Sequence, residues 1–285
     1  MNPKGLSPIQ RRFSAAAATY DHFADVQDRV AVRLLELALS EMSPSRPAQI
    51  LEVGCGSGRL TRRLRETFPA SRLWALDLSA AMVCEARKRV AAPPGTMGWA
   101  VGDAAQLPVR ATFDALFSSS VLHWVDSLPA ALGEIRRALN PGGLAALAIM
   151  TQGTLAELHA VRRRITPENL PLADLPASDL LREAVRASGL THRIETSGEI
   201  VVTYPSAHSF LKTLHAQGLT GGRFSTSGRP LSRTQLRALI DVYDREFSVP
   251  GGVRATYRIL WLIAENPVNS PSISGCRNPK TEGLH

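Results

Sequence analysis

The residues best placed to do chemistry in this sequence are glycines and carboxylates at the ends of short apolar runs. Leu51-Glu52-Val53-Gly54-Cys55-Gly56-Ser57-Gly58 is one such run, breaking into alternating glycines. A turn without Cβ atoms lets a ligand lie directly against backbone N–H groups. The GxGxG spacing departs from the GxGxxG of dinucleotide sites, which disfavours a nicotinamide dinucleotide. Asp77 closes the next apolar run 23 residues after Gly54. That is near the offset of about 20 residues at which an acid meets ribose hydroxyls. A carboxylate facing two hydroxyls makes a charge-assisted pair of hydrogen bonds that no apolar side chain supplies. Gly102-Asp103-Ala104 sets a second acid after the third run, suited to accept from an exocyclic amine. Taken singly, each feature has a structural alternative, in which glycines turn the chain and acids cap helices. Taken together they describe a cradle for a nucleoside-bearing ligand.

Other chemistries find less support. Cys55, Cys84 and Cys276 have neither CxxC spacing nor an even count for a disulfide framework. Cys55 sits in the glycine turn without a catalytic partner, so it is expected to pack rather than react. His208 and His215 fall on one helix face but lack a third ligand, so no metal site is expected. No GxSxG elbow is present.

The elements that must position these residues follow from apolar periodicity. Residues Asp25 to Met42 have a helical period, and Ser43-Pro-Ser-Arg-Pro47 ends it. Strands are predicted at Gln49–Val53, Arg72–Leu76, Met97–Val101, Phe113–Ser118 and Leu144–Met150. Helices lie between them, one capped by Ser79 and another stopped by Asn140-Pro-Gly-Gly143. This alternation predicts an α/β fold with a doubly wound, mostly parallel sheet, here of seven strands. Beyond Thr151 helices are predicted near 178–188, 206–217 and 232–247, and strands near 191–204 and 257–264.

The chain has 285 residues, 44% of them hydrophobic and 20% charged, which suits a folded core and not disorder by composition. No apolar run nears the ~20 residues of a membrane span, and no secretory signal is visible. A cytoplasmic protein is therefore expected. The 33 Lys+Arg against 25 Asp+Glu give a net charge of +8. Residues 200–240 contain Lys212, Arg223, Arg229, Arg233 and Arg237 and no acid, a local basicity suited to an acidic partner. A solvated face in an arginine-rich chain is the bland alternative. No aromatic-interleaved basic platform for nucleic acid is seen.

The motifs LEVGCGSG, LDLSAAM, GDAAQLP, FDALFSSSVLHW and LNPGG across residues 49–150 resemble those of class I S-adenosylmethionine methyltransferases. The resemblance implies S-adenosyl-L-methionine as donor. Glu52, Gly54, Gly56 and Gly58 would then lie at its methionine end, Asp77 and Leu78 at the ribose, and Asp103 and Ala104 at the adenine. Ser119 to Leu122 would close one wall. The flanks are more specific: the segment from Phe13 to Gln27, QGTLAEL at 152–158, residues 209–219, LSRTQL at 231–236 and residues 255–260 resemble the biotin-pathway enzymes that methylate the free carboxylate of malonyl-acyl carrier protein or malonyl-CoA.

That family implies a helical lid over residues 1–44, a donor-binding core over 45–204, a helical acceptor-binding insertion over 205–250 and a last core strand over 251–266. Residues 267–285 read as a disordered tail. It also implies an acidic acyl carrier protein as partner, with neither nucleic acid nor membrane. Tyr20, His123 and Trp124 are the candidates to shape the acceptor pocket, with an arginine or lysine of the insertion fixing the acceptor's anion. No general base is nominated, because a malonyl carboxylate is already ionised at neutral pH. His123 stands where the family usually has Gln, and His215-Ala-Gln-Gly-Leu219 where it often reads Lys-x-Ile-Gly-Ala. These departures keep two alternatives in view, a methyltransferase for a free small carboxylic acid and a non-catalytic adaptor with this fold.

Overall fold

The Ser7 hydroxyl accepts from Gln10 N at 3.2 Å while Gln10 Oε1 accepts from Ser7 N, and Pro8 fills the first turn, where a missing N–H removes no helical bond. This capping box opens α1 (Pro8–Ala16), a helix that hydrophobic periodicity does not predict; α2 (Asp25–Glu41), which it does, follows. The computed structural model describes residues 7–20, 24–42, 46–109, 112–167, 175–219 and 231–268. The expected tail therefore lies almost wholly outside the described residues. Strands and helices then alternate: β1 (Gln49–Val53), α3 (Arg59–Thr67), β2 (Arg72–Asp77), α4 (Ala80–Arg89), β3 (Met97–Val101), β4 (Phe113–Ser119), α5 (Leu128–Ala138) and β5 (Leu139–Met150). Helices α6 (Ala156–Ile165) and α7 (Ser178–Ala187) lead to β6 (Thr191–Tyr204). Helices α8 (Ala207–Ala216) and α9 (Arg233–Glu246) precede β7 (Ser248–Val249) and β8 (Gly252–Glu265).

The sheet runs β3-β2-β1-β4-β5-β8-β6, with β1 to β5 parallel and β8 antiparallel to both neighbours. Those seven strands are the expected doubly wound sheet. The addition is β7, two residues folded back on β8 through the Pro250-Gly251 turn. Central strands bury both faces, so their apolar residues alternate between two cores. On β8, Ile259, Trp261 and Ile263 join α2, α3, α6, α8 and α9 on one face, while Leu260, Leu262 and Ala264 join α5 and α7 on the other.

Two expectations need correction. Helix α2 is no lid: Val30 and Leu34 are fully buried against the sheet, and Trp261 Nε1 donates to the Val30 carbonyl at 3.0 Å. Its apolar stripe is wide enough to serve as a core layer. Asn140-Pro-Gly-Gly143 does not stop a helix either, since α5 already ends at Ala138. The tetrapeptide is the irregular start of β5, where the pairing with β4 skips between Phe113 and Ala115. Asn140 is held there by its amide donating to Asp114 Oδ1 at 2.9 Å.

Candidate functional site

Strand order reverses between β1 and β4, and the carboxyl ends of adjacent strands diverge there into a crevice. A cavity of about 620 Å³ fills it, roofed by α1. That volume is in the range of small-molecule sites.

The glycine turn forms the floor. Gly54 N and Cys55 N both donate to the Leu76 carbonyl, at 2.7 and 2.9 Å, tying the turn to the end of β2. A Cβ on Gly54 would stand 2.1 Å from Val121 Cγ2, so only glycine fits between β1 and the opposite wall. A Cβ on Gly56 would meet nothing within 4 Å: its bare backbone faces the cavity. Gly58 does something different. It caps α3 at φ +91°, and a Cβ there would stand 3.1 Å from Ala86 of α4, outside the cavity lining. Two of the three glycines thus meet the site, and the third packs a helix against its neighbour.

Glu52, Asp77 and Asp103 all line this one cavity. Asp77 Oδ2 accepts from Gly56 N at 2.9 Å and Oδ1 from Ser79 N at 2.8 Å. Burial pushes its carboxyl above the usual range, and those two amides oppose the shift. Each oxygen keeps a second lone pair for a ligand. Glu52, at the end of β1, is 1% exposed. Its Oε2 has no hydrogen-bond partner although the residue lines the cavity. Burial, opposed by the Thr61 hydroxyl and reinforced by the nearby charge of Asp77, pushes this carboxyl up to about 8. Burial first, then Glu52 and Asp77, likewise raises the Cys55 thiol, which keeps it from being a thiolate nucleophile. Leu78, Asp103, Ala104 and Ser119 also line the cavity.

The roof is held by two bonds to the loop after β2. Gln10 Nε2 donates to the Leu78 carbonyl at 2.8 Å, and the Ser14 and Ser79 hydroxyls are 2.8 Å apart. Phe13 hangs from α1 edge-on to Trp124, ring centroids 5.4 Å apart, and to Tyr20 at 6.4 Å. Tyr20 and Trp124 line the cavity. His123 does not: it is 3% exposed and lies behind Trp124, because the tight helical turn at Leu122–Trp124 sends adjacent side chains in different directions. Leu122 is likewise buried out of reach.

The cations differ from expectation as well. Among the described residues none of the insertion lines the cavity; the arginines that do are Arg12 of α1 and Arg59 of α3, the latter also facing Asp28 at 3.7 Å. Burial lowers the pKa of Arg12, and neighbouring Arg11 adds to that. The insertion acts at one remove, through Gln217 Nε2 donating at 3.4 Å to Gln27, which does line the cavity. Arg223 and Arg229 lie outside the described residues. Ser120, within the wall expected at Ser119 to Leu122, is held at φ +59° where β4 leaves the sheet; it lines the cavity with its hydroxyl buried and without a partner, like that of Ser119. The Ser7-Pro8-x-Gln10 capping box was the readable sign of the roof helix.

No helix among the described residues is long and apolar enough to cross a membrane. A family model described as a methyltransferase domain matches residues 50–143. The chain is 32% identical over 266 residues to a malonyl-[acyl-carrier protein] O-methyltransferase of Geobacter sulfurreducens, covering 90% of this chain and 97% of that one. It is 33% identical over 260 residues to a biotin biosynthesis bifunctional protein of Bordetella avium, covering 89% of this chain and 51% of the other. A solved structure of an S-adenosylmethionine-dependent methyltransferase from Thermotoga maritima shares the fold at a TM-score of 0.52 and 16% identity, over 90% of this chain and 99% of that one.

Proposed function

The chain belongs to the malonyl-[acyl-carrier protein] O-methyltransferases, and from that premise we propose how this cavity methylates the free carboxylate of a malonyl group on an acyl carrier protein, the ester that primes biotin synthesis. The observation that carries this reading is the reach of the likeness, which at 90% of this chain and 97% of the relative extends well beyond the donor-binding core.

The residues present fit S-adenosyl-L-methionine. The unpartnered Oε2 of Glu52 suits a cationic group, and the bare Gly56 backbone suits close approach by a ligand. Glu52, Gly54 and Gly56 would hold the methionine end, Asp77 and Leu78 the ribose, and Asp103 and Ala104 the adenine. When bound, the donor supplies an electrophilic methyl group on a sulfonium.

The chain's own part is positioning and exclusion of water. The malonyl carboxylate arrives ionised, so no side chain has to remove a proton. Arg12 and Arg59 attract the anion into the cavity, and Phe13, Tyr20 and Trp124 wall it off from solvent. The buried hydroxyls of Ser119 and Ser120 offer hydrogen bonds to the carboxylate oxygen that does not attack. Alignment of two such reactants is worth effective molarities of about 10⁵ M or more. Ester formation makes one C–O bond and breaks one C–S bond, and the charges of anion and sulfonium cancel without proton transfer. A cytoplasmic setting fits a carrier-bound substrate. Expression in a bacterium lacking its own malonyl-carrier methyltransferase should restore growth without biotin. No growth while the folded chain accumulates would refute the reading.

A further inference from the structure

The insertion reaches the site through two consecutive residues at the end of α8. Gln217, 2% exposed, donates from its backbone N to the Thr213 carbonyl, which closes the helix, and from its side-chain Nε2 to Gln27 Oε1 at 3.4 Å. Gly218 follows at φ +72°, and a Cβ there would stand 3.1 Å from the Arg12 carbonyl oxygen. Gln27 and Arg12 both line the cavity. The end of α8 therefore meets α1 and α2 at residues that face the ligand.

Gln27 is steadied from a second side. It lies in the first turn of α2 next to Asp28, whose carboxylate pairs with Arg63 at 2.8 Å and Arg59 at 3.7 Å, so α2 begins clamped to α3. Helix α2 packs on β4, β5, β6 and β8. Asp77 and Asp103, the acids expected at the ribose and the adenine, stand at the end of β2 and just after β3, on the other side of β1. Gln27 thus enters the cavity from the side away from the nucleoside positions, where an acceptor would lie.

The bond from Gln217 also settles which end of the Gln27 amide is available. An amide has an acceptor end and a donor end, and its partners decide which faces where. With Oε1 turned to Gln217, Nε2 and its two N–H groups are the end left for a ligand.

We propose that Gln27 binds the malonyl carboxylate through Nε2, in addition to the hydroxyls of Ser119 and Ser120, and that Gln217 is the positioning residue that aims it. This rests on the acceptor reading above and names a residue that orients that acceptor. An ionised carboxylate only accepts hydrogen bonds, and an amide N–H supplies them without a counter-charge that would weaken the attacking oxygen. The insertion gains its part in the reaction the same way. Lys212, Arg233 and Arg237 do not line the cavity, and a neutral glutamine does the work expected of a cation.

Two substitutions at Gln27 separate this role from packing. Gln27→Ala removes the amide and should raise KM for malonyl-carrier protein about tenfold, the worth of one hydrogen bond to a charged group, while the Kd for S-adenosylmethionine stays within about twofold. Gln27→Glu keeps the size of the side chain and the bond from Gln217 but sets a carboxylate against a carboxylate. It should be the worse of the two, raising KM about a hundredfold. A packing role orders them the other way, because the isosteric Glu fills the space that Ala leaves empty. Gln217→Met cannot donate; it should raise KM about threefold or more in the unaltered chain and add nothing in the Gln27→Ala background. Gln27→Glu equal to or better than Gln27→Ala, a Kd for S-adenosylmethionine that weakens in parallel with KM, or full additivity of Gln217→Met with Gln27→Ala overturns the assignment while the methyltransferase reading stands. If the unaltered chain forms no methyl ester on malonyl-carrier protein, the acceptor reading fails and this assignment with it.

Discussion

Glu52 makes donor binding a measurable function of pH. Its carboxyl is held near 8 by burial and by Asp77, against an ordinary value of 4.5. At pH 7 it is therefore about nine-tenths protonated. A cationic group placed at its unpartnered Oε2 favours the ionised form, so binding must release that proton. If only the carboxylate binds well, the apparent Kd is proportional to the reciprocal of the ionised fraction. It then tightens about 50-fold between pH 6 and pH 8, or about 2.3 kcal/mol, most of it below pH 7.5. Asp77, also raised by burial, bends the curve in the same direction. The assay is calorimetric titration with S-adenosylmethionine across that interval, in two buffers of different ionisation enthalpy, which counts the protons released directly. About 0.9 proton should leave at pH 7. The demethylated product, which keeps the ammonium and loses the sulfonium charge, should show the same linkage if Glu52 faces the ammonium. Glu52→Gln should bind more weakly at pH 8 and show a flat profile. A wild-type Kd constant within twofold from pH 6 to 8, or a Glu52→Gln profile with the wild-type slope, would refute the placement of the donor's cation at Glu52.

The same group sets a stability trend without donor: the folded chain holds a proton that the unfolded chain releases near 4.5, so stability should fall as pH rises from about 5 through 8 and level off above. Urea denaturation should show this slope in wild type and lose it in Glu52→Gln. Gly54→Ala drives a methyl into Val121 and should cost about 1–3 kcal/mol by the same method, with loss of donor binding; Val121→Ala in that background should recover part of the stability. Gln10→Ala removes the bond from the roof to Leu78 and should speed donor release about 3- to 10-fold in stopped flow while leaving the melting temperature nearly unchanged.

What was legible in the sequence is what short-range pattern controls. The β1-turn-α3 unit, Asp77 and Asp103 sit at strand ends, where an apolar run breaks into glycine or a cap, and the structure brings them into one cavity. What was illegible depends on geometry that spacing does not encode. His123 and Trp124 are neighbours in sequence, yet a tight turn sends one to the cavity and the other behind it. Gly58 looks like Gly54 and Gly56 in the motif, but the start of α3 turns it toward Ala86. An arginine facing the acceptor was sought in the most basic stretch of the chain. Among the described residues those lining the cavity sit on α1 and α3, because proximity across the fold and not local charge density decides which cation meets the ligand. Helix α1 escaped periodicity because its alanines bury little, and only its capping box marks it.

The most direct test of the account follows the intact mass of malonyl-acyl carrier protein incubated with the purified chain and S-adenosylmethionine. A carrier heavier by one methyl group is expected, the gain removed by mild base as for an ester, with no product from free malonate under the same conditions. An unchanged carrier mass, with donor shown to be bound in the same sample, would contradict it.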